Sequence, residues 1–204
     1  MAARSLNAVE LRVLGCLIEK QRTTPEQYPL TLNALRLACN QASNRDPVLQ
    51  LDESEVRAAA QSLGSHGYAR LATGPGSRTA KYRQLFGEAL DLLPSEVSIL
   101  CVLMLRGPQT VSELKTRTER LYHFASSDDV TTTLERLRGK ELVELLGKKA
   151  GQREERWGHL LAAEARTSEP EAAAAAEVAE PSSLDERLAR IEARLAALES
   201  RLGA

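Results

Sequence analysis

The chain has 204 residues, of which 43% are hydrophobic and 27% charged, and its net charge of −1 lacks the basic excess of a dedicated nucleic-acid binder. Aromatic residues make up only 3%, which argues against a base-stacking platform and predicts aliphatic cores. The longest apolar run, residues 97–105, is far shorter than the ~20 residues of a membrane helix, and three scattered cysteines without a C-x-x-C pair favour a reduced cytoplasm.

The charge is distributed unevenly along the chain. Residues 1–88 hold 11 basic and 8 acidic residues, residues 89–164 hold 11 and 12, and residues 165–204 hold 5 and 8. The N-terminal part is therefore mildly basic, which suffices for a local basic patch but not for a strong electrostatic field.

The first predicted helix contains Glu10–Leu17, whose apolar residues recur at three- and four-residue spacing. The same apolar pattern returns at Glu96–Leu103, so the chain contains an internal repeat. Ser5 or Asn7 is expected to cap the first helix and Ser95 its counterpart, after a proline that a first helical turn tolerates.

Two further helices are predicted in each copy of the repeat. Leu30–Cys39 matches Thr110–Arg117, and each begins from a turn. The third helices agree best, because Ser54–Leu63 and Asp128–Leu137 share an apolar stripe at i, i+4 and i+7.

Each third helix runs into glycine-bearing sequence, at Gly67 and at Gly139, which is expected to end it. Two strand-like segments then flank a polar, glycine-rich turn. They are residues 68–71 and 81–85 in the first copy and residues 142–146 and 156–160 in the second. In this alignment Tyr82 falls on Trp157.

Three helices followed by a β-hairpin make a helix-turn-helix with a wing. The predicted fold is mainly α with β wings: two tandem winged helix-turn-helix domains and a C-terminal coiled-coil helix. The domains are predicted at residues 1–88 and 89–164, followed by a Glu/Pro/Ala-rich linker at 165–182 and the coiled coil at 183–204. Because each copy is small, the two are expected to pack against each other.

The predicted coiled coil rests on apolar residues at alternating spacings of four and three. They are Leu184, Leu188, Ile191, Leu195, Leu198 and Leu202. Arginine occupies each g position and an acid each e position, so opposite charges face one another in a parallel pair. The pattern therefore predicts a parallel homodimer. The alternative is one amphipathic helix that folds back on its own domain, and leucine at position a leaves the number of chains open.

The stretch from Thr24 to Pro47, which includes Tyr-Pro-Leu-Thr-Leu-Asn-Ala-Leu, resembles the YceH family of bacterial proteins. The similarity continues through Leu93–Val97, Leu105–Thr110 and Arg153–Leu160, and covers about residues 5–161. The resemblance implies a tandem winged-helix fold, often with a C-terminal coiled coil. It implies no activity and no catalytic residues.

The first functional hypothesis is double-stranded DNA binding, as in a dimeric transcriptional regulator, with the third helix in the major groove and the wing on the backbone. The candidate contacts in the first copy are Arg57, Gln61, Arg70, Arg78, Lys81 and Arg83. Those in the second copy are Thr131, Thr132, Arg136, Arg138, Lys148, Lys149, Arg153 and Arg156. Acids at residues 52–55 and 128–129 argue against this hypothesis, because they would repel phosphate; their expected main role is helix capping.

The alternative is a non-enzymatic protein-interaction module or assembly adaptor. Its contact surface would comprise Tyr28, Pro29, Asn33, Asn40, Asn44 and Arg45. The same residues also suit a structural role, since Asn and Pro fix loops through hydrogen bonds and restricted backbone. An enzyme is the weakest hypothesis, because the three histidines lie apart without metal-ligand spacing and no phosphate loop is present. No catalytic, cofactor-binding or metal-ligating residues are predicted.

Overall fold

The computed structural model describes residues 5–72, 79–147 and 154–162, which are mainly helical with small antiparallel sheets. All of the described residues lie in one compact unit. Several predicted features lie outside the described residues. They are the linker, the six coiled-coil positions from Leu184 to Leu202, and the basic residues Arg78, Lys148, Lys149 and Arg153. Across the described ranges, no helix has the length and apolar character needed to cross a membrane.

The first copy of the repeat contains three helices and a three-stranded sheet. The helices are α1 (Ala8–Thr23), α2 (Leu32–Cys39) and α3 (Glu53–Ser65), and a short 3-10 turn, Pro25–Gln27, follows α1. The strands are β1 (Leu30–Thr31), β2 (Ala69–Ala72) and β3 (Lys81–Gln84). The sheet order is β1-β3-β2, so β2 and β3 form a hairpin to which β1 adds a short third strand.

The second copy repeats this order after a four-residue helix, α4 (Phe86–Ala89). Its helices are α5 (Pro94–Arg106), α6 (Val111–Thr118) and α7 (Ser127–Gly139), and its hairpin consists of β4 (Val143–Leu146) and β5 (Arg156–His159). The predicted segments therefore have the expected types, but the helix predicted from Leu30 starts two residues later because Leu30 and Thr31 form β1.

The two hairpins share one register. Tyr82 pairs with Leu71 in the first, and Trp157 pairs with Leu145 in the second. Leu30 also pairs with Tyr82 from β1, and the backbones of Gln109 and Trp157 form the matching bridge in the second copy. The predicted alignment of Tyr82 with Trp157 is therefore confirmed by the strand pairing.

The capping residue predicted for α1 is confirmed, whereas the one predicted for α5 is wrong. Asn7 caps α1, where its side chain accepts hydrogen bonds from Val9 N and Glu10 N. The prediction that Ser95 caps α5 is wrong, because the helix begins one residue earlier, at Pro94. Proline's preset φ suits the first helical position, and the Glu96 carboxylate accepts the hydrogen bond from Leu93 N at 2.8 Å.

The third helices end with the same backbone geometry but different residues. Gly67 has φ = 77°, in the left-handed region that glycine adopts without penalty. In the second copy this position is Glu141, with φ = 57°, and the predicted terminator Gly139 still lies inside α7. Tyr68 N and Leu142 N donate equivalent hydrogen bonds, to Leu63 O and Leu137 O.

The first helices of the two copies pack tightly against each other in one core. A Cβ on Gly15 of α1 would lie 2.8 Å from Leu105 Cδ2 of α5, closer than side-chain carbons approach. The Cys101 thiol donates to Gly15 O at 3.4 Å. The first residues of the described chain are also joined to its last ones, because Leu6 N donates to Leu161 O at 2.8 Å. The two copies therefore share a single hydrophobic core.

Glu141→Gly is expected to raise the free energy of unfolding by about 0.5–1 kcal/mol. Glycine removes the steric cost of a left-handed backbone at this position, and the greater entropy of glycine in the unfolded chain offsets only part of that gain. Urea denaturation measures the change. Gly67→Ala is the reverse experiment and should lower the unfolding free energy by about 1 kcal/mol or more, because no atom crowds the new Cβ and only the backbone is strained. A loss of stability in Glu141→Gly would contradict this account.

Gly15→Ala should destabilise the protein although alanine is the better helix former. Helix propensity favours alanine by ~1 kcal/mol, whereas overpacking against Leu105 costs ~1–3 kcal/mol. In a Leu105→Ala background the conflict disappears, so a double-mutant cycle should show a coupling of about 1 kcal/mol or more. Gly139→Ala is the matched control, because the new Cβ would meet nothing within 4 Å. This substitution should stabilise α7, since alanine is the better helix former. Additive effects in the cycle would show that the close approach is unimportant.

Candidate nucleic-acid interface

The exposed face of α3 presents Arg57 and Gln61, one helical turn apart. The Arg57 guanidinium lies 2.6 Å from the Glu53 carboxylate, and the side chains remain 52% and 56% exposed. An exposed ion pair of this kind contributes ~0.2–1 kcal/mol, so a phosphate can displace Glu53 as the partner of Arg57 at small cost.

The acids at the start of α3 cap the helix, as predicted. Asp52 accepts hydrogen bonds from the Ser54 hydroxyl (2.7 Å) and from Glu55 N (2.9 Å), and these bonds lower the pKa of Asp52. The Glu55 carboxylate accepts in return from Asp52 N. Ser126 and Asp129 form the same reciprocal cap on α7. Because carboxylates already occupy both helix N-termini, neither terminus is a phosphate site.

The first hairpin carries three cations on one face. Arg70 in β2 lies directly opposite Arg83 in β3, and Lys81 lies two residues along on the same face. Arg83 contacts Glu88 at 3.1 Å, but this acid is 71% exposed. Among the described residues, Arg70 has no carboxylate partner within 4.0 Å. Since like charges directly opposite each other destabilise a hairpin, this face is better suited to an anionic ligand than to stability alone.

The described part of the second hairpin lacks this basic face. Glu144 and Gly158 occupy the positions that correspond to Arg70 and Arg83. The remaining cation, Arg156, donates to the Glu113 carboxylate (2.8 Å) and to Pro108 O (2.9 Å), which ties β5 to the start of α6. Arg156 is therefore a structural residue in this hairpin.

The candidates on α7 are exposed but mostly bonded within the helix. Thr131 and Thr132 face solvent, and the Thr131 hydroxyl donates to Ser127 O. Arg136 donates to the Thr133 hydroxyl, and Arg138 lies 3.7 Å from the Glu135 carboxylate.

Arg45, predicted as an interaction residue, is buried and is therefore not a surface contact. Its guanidinium makes a two-pronged contact with Glu19, at 2.6 and 3.1 Å, and also donates to Ala38 O, Asn44 O and the Gln41 side chain. Burial acts to lower the pKa of Arg45, but the Glu19 carboxylate outweighs it and the pKa is raised. A buried arginine needs this full set of acceptors, which explains the polar 40–46 loop.

Two other residues of the predicted interaction surface also have structural roles. Tyr28 lies before a cis Pro29 and its hydroxyl accepts from Gln84 N at 2.6 Å. Asn40 both accepts from Leu51 N and donates to Leu51 O. Of the six predicted residues, Asn33 and Asn44 are the exposed ones.

One structural residue escaped the sequence analysis. Arg12 lies on the buried side of α1, where it donates to Cys39 O at 3.1 Å and to Pro47 O at 2.6 Å. Burial is the main cause of its lowered pKa. The signal in the sequence was an arginine within the apolar stripe Leu11–Leu17.

No metal site is present in the ranges 5–72, 79–147 and 154–162, since no three His, Cys, Asp or Glu side chains there lie close enough to hold an ion.

The chain belongs to the family described as "Protein of unknown function, DUF480", which matches residues 6–152. A UPF0502 protein of Pelobacter propionicus is 48% identical over 197 residues, which cover 95% of this chain and 90% of that protein. A UPF0502 protein of Pseudomonas syringae pv. tomato is 45% identical, with coverages of 98% and 91%, and one of Geobacter sulfurreducens is 48% identical, with coverages of 95% and 90%. These relatives are named UPF0502 proteins, so the comparisons support this broader family and not the YceH name that the sequence resemblance suggested.

Arg45→Met is expected to lower the free energy of unfolding by about 3–5 kcal/mol, because it leaves the largely buried Glu19 with only the longer 3.5 Å contact to Lys20. Urea denaturation of both proteins measures the loss. Replacing both partners, as in Glu19→Leu with Arg45→Met, should recover a large part of it.

Arg57→Met is the matched control for an exposed pair and should change stability by less than about 1 kcal/mol. Equal effects of Arg45→Met and Arg57→Met would contradict a structural role for Arg45.

Proposed function

We propose that this protein is a non-enzymatic, tandem winged-helix DNA-binding protein of the cytoplasm that acts as a coiled-coil-linked dimer, with the character of a transcriptional regulator. The observation that carries the proposal is the basic face of the first hairpin, formed by Arg70, Lys81 and Arg83. Arg70 is exposed, and Lys81 and Arg83 are half-buried at the surface, so phosphate contacts need no desolvation of a deep site.

The order of elements supports the winged-helix part of the proposal. Three helices precede a hairpin in each copy, and both hairpins have the same register. In DNA-binding proteins of this class the third helix enters the major groove, while the wing contacts the backbone or the minor groove. Arg57 and Gln61 then reach base edges from the middle of α3, and the hairpin cations contact phosphate.

The acids at the start of α3 define how the helix approaches DNA. Asp52 and Glu55 neutralise the N-terminal end of the helix dipole and repel phosphate. An approach through the side of α3 keeps these carboxylates away from the backbone, whereas an approach through its N-terminus brings them against it. The proposal therefore assigns the contact to the Arg57–Gln61 face.

The first copy is the DNA-contacting one in this proposal. The first hairpin presents cations at positions where the second has Glu144 and Gly158. The second copy contributes Thr131, Thr132 and Arg136 only if the DNA extends across both copies. Parallel pairing of residues 183–204 would place two first copies on paired half-sites.

The deciding experiment is fluorescence anisotropy of the full chain with mixed-sequence duplex DNA over a range of NaCl concentrations. Phosphate contacts release counterions, so the logarithm of affinity should fall linearly with the logarithm of salt concentration. Arg70→Gln with Arg83→Gln should weaken binding and reduce the slope by about 2, because each phosphate that a cation neutralises adds ~0.9 to it.

Arg22→Gln with Arg120→Gln is the matched control, because it also removes two exposed cations but leaves the hairpin and α3 intact. Absent binding, salt-insensitive binding, or equal weakening by the two double variants would overturn the proposal.

A second candidate function is the protein-interaction module. Leu71 and Leu145 occupy the same register position in the two hairpins and are 58% and 39% exposed. Leucines exposed at equivalent positions favour a repeated apolar contact with a protein partner. Under the DNA-binding proposal, Leu71→Ser with Leu145→Ser should leave DNA affinity unchanged. Loss of DNA affinity in a folded double variant would contradict the assignment of the DNA contact to the hairpin cations.

A further inference from the structure

We propose that a polar cleft between the two copies binds a small phosphate monoester. The cleft has a volume of about 330 Å³, at the lower end of the range for small-molecule sites. One wall is the 44–46 loop of the first copy, and the other is formed by the turn after α5, by α6 and by β5. This site is separate from the hairpin face proposed for DNA.

Arg106 is the central residue of this site. It ends α5 and lines the cleft, and its guanidinium donates to the Asn44 side chain. Within the described part of the chain, Arg106 has no carboxylate within 4.0 Å. Burial and then the nearby Arg117 charge lower the pKa of Arg106, and they outweigh the opposing charges of the Glu19 and Glu113 carboxylates.

The neighbouring charges also leave a positive excess. Arg117 and Arg156 line the same cleft and share one acid, Glu113, at 3.5 and 2.8 Å. Asp46 is the other carboxylate on the cleft wall. Three guanidinium groups therefore face two carboxylates, if Arg45 is set aside because Glu19 neutralises it.

An adjoining smaller cavity of about 70 Å³ increases this excess. Arg106 and Arg117 line both spaces, and Arg120 lines the smaller one together with Glu19, whose charge is neutralised by Arg45. With Arg120 the excess becomes two positive charges, which matches the charge of a phosphate monoester dianion. Guanidinium groups bind phosphate through paired, charge-assisted hydrogen bonds, and this geometry favours phosphate over a halide.

Gln109 indicates that the ligand carries a hydroxyl as well as a phosphate. Gln109 lines the cleft and is only 3% exposed, and its amide nitrogen donates to the carbonyls of residues 106–108. Its Oε1 is buried and has no hydrogen-bond donor among the described residues. An acceptor without a donor is unfavourable in a buried position, and a ligand hydroxyl supplies the missing hydrogen bond.

The test is isothermal titration calorimetry of the full chain with glycerol 3-phosphate, which combines a phosphate with hydroxyl groups, at constant ionic strength. Arg106→Gln is expected to weaken binding about tenfold or more, because it removes a charge-assisted contact. The affinity of Arg106→Lys should lie between those of the wild type and of Arg106→Gln, because lysine keeps the charge but loses the paired geometry. Arg22→Gln removes an exposed cation outside the cleft and should leave the dissociation constant unchanged.

Arg117→Gln provides a second variant, with circular dichroism as the check on folding for each protein. It should also weaken binding, because Arg117 lines both cavities. No heat of binding at concentrations up to about 10 mM would overturn the proposal. Equal affinity in wild type and in folded Arg106→Gln would also overturn it. Since DNA plays no part in this experiment, its failure leaves the proposed DNA binding untouched.

Discussion

The contact between α1 and α5 determines how the rest of the molecule is arranged. The two helices approach closely because Gly15 has no side chain where Leu105 packs, and the Cys101 thiol bonds to the Gly15 carbonyl. Each third helix and hairpin pack onto their own first helix, so this contact is the main one that positions the surfaces of the first copy relative to those of the second. A rigid relation of this kind suits a protein that presents one basic hairpin and forms a cleft from both copies.

The most distinctive stretch of the sequence, residues 24–47, builds the architecture more than it displays a surface. Arg45 and Arg12 are buried arginines, and the energy of burying a guanidinium is recovered only if most of its donors find acceptors. The acceptors come from Glu19 and from the backbone of the 38–47 region, which explains why a polar loop is needed beside an apolar helix. Asn44 connects this network to Arg106, so the loop also forms a wall of the proposed phosphate site.

Local patterns predicted much of this fold. The alignment of Tyr82 with Trp157 gave the correct hairpin register, and the acids at the start of α3 were correctly interpreted as caps, because both depend on short-range spacing. Other features depend on distant residues and left no local signal. β1 has only two residues and exists through its pairing with β3, and Arg156 contacts Glu113 across 43 positions. The helical spacing of Arg57 and Gln61 predicted their exposure. That the described part of the second hairpin lacks a basic face became visible only once the strand register of both hairpins was known.

The distance along the chain between Gly15 and Cys101 has a consequence for synthesis on the ribosome. The two residues are 86 positions apart, so α1 is made long before α5, which covers part of its apolar surface. At ~5–20 residues per second, the nascent α1 waits about 4–17 s for this partner. Leu6 waits longer, until Leu161 emerges. The first copy is therefore unfinished when its own last residue is made, and the part of α1 that packs on α5 stays exposed to chaperones until the second copy arrives.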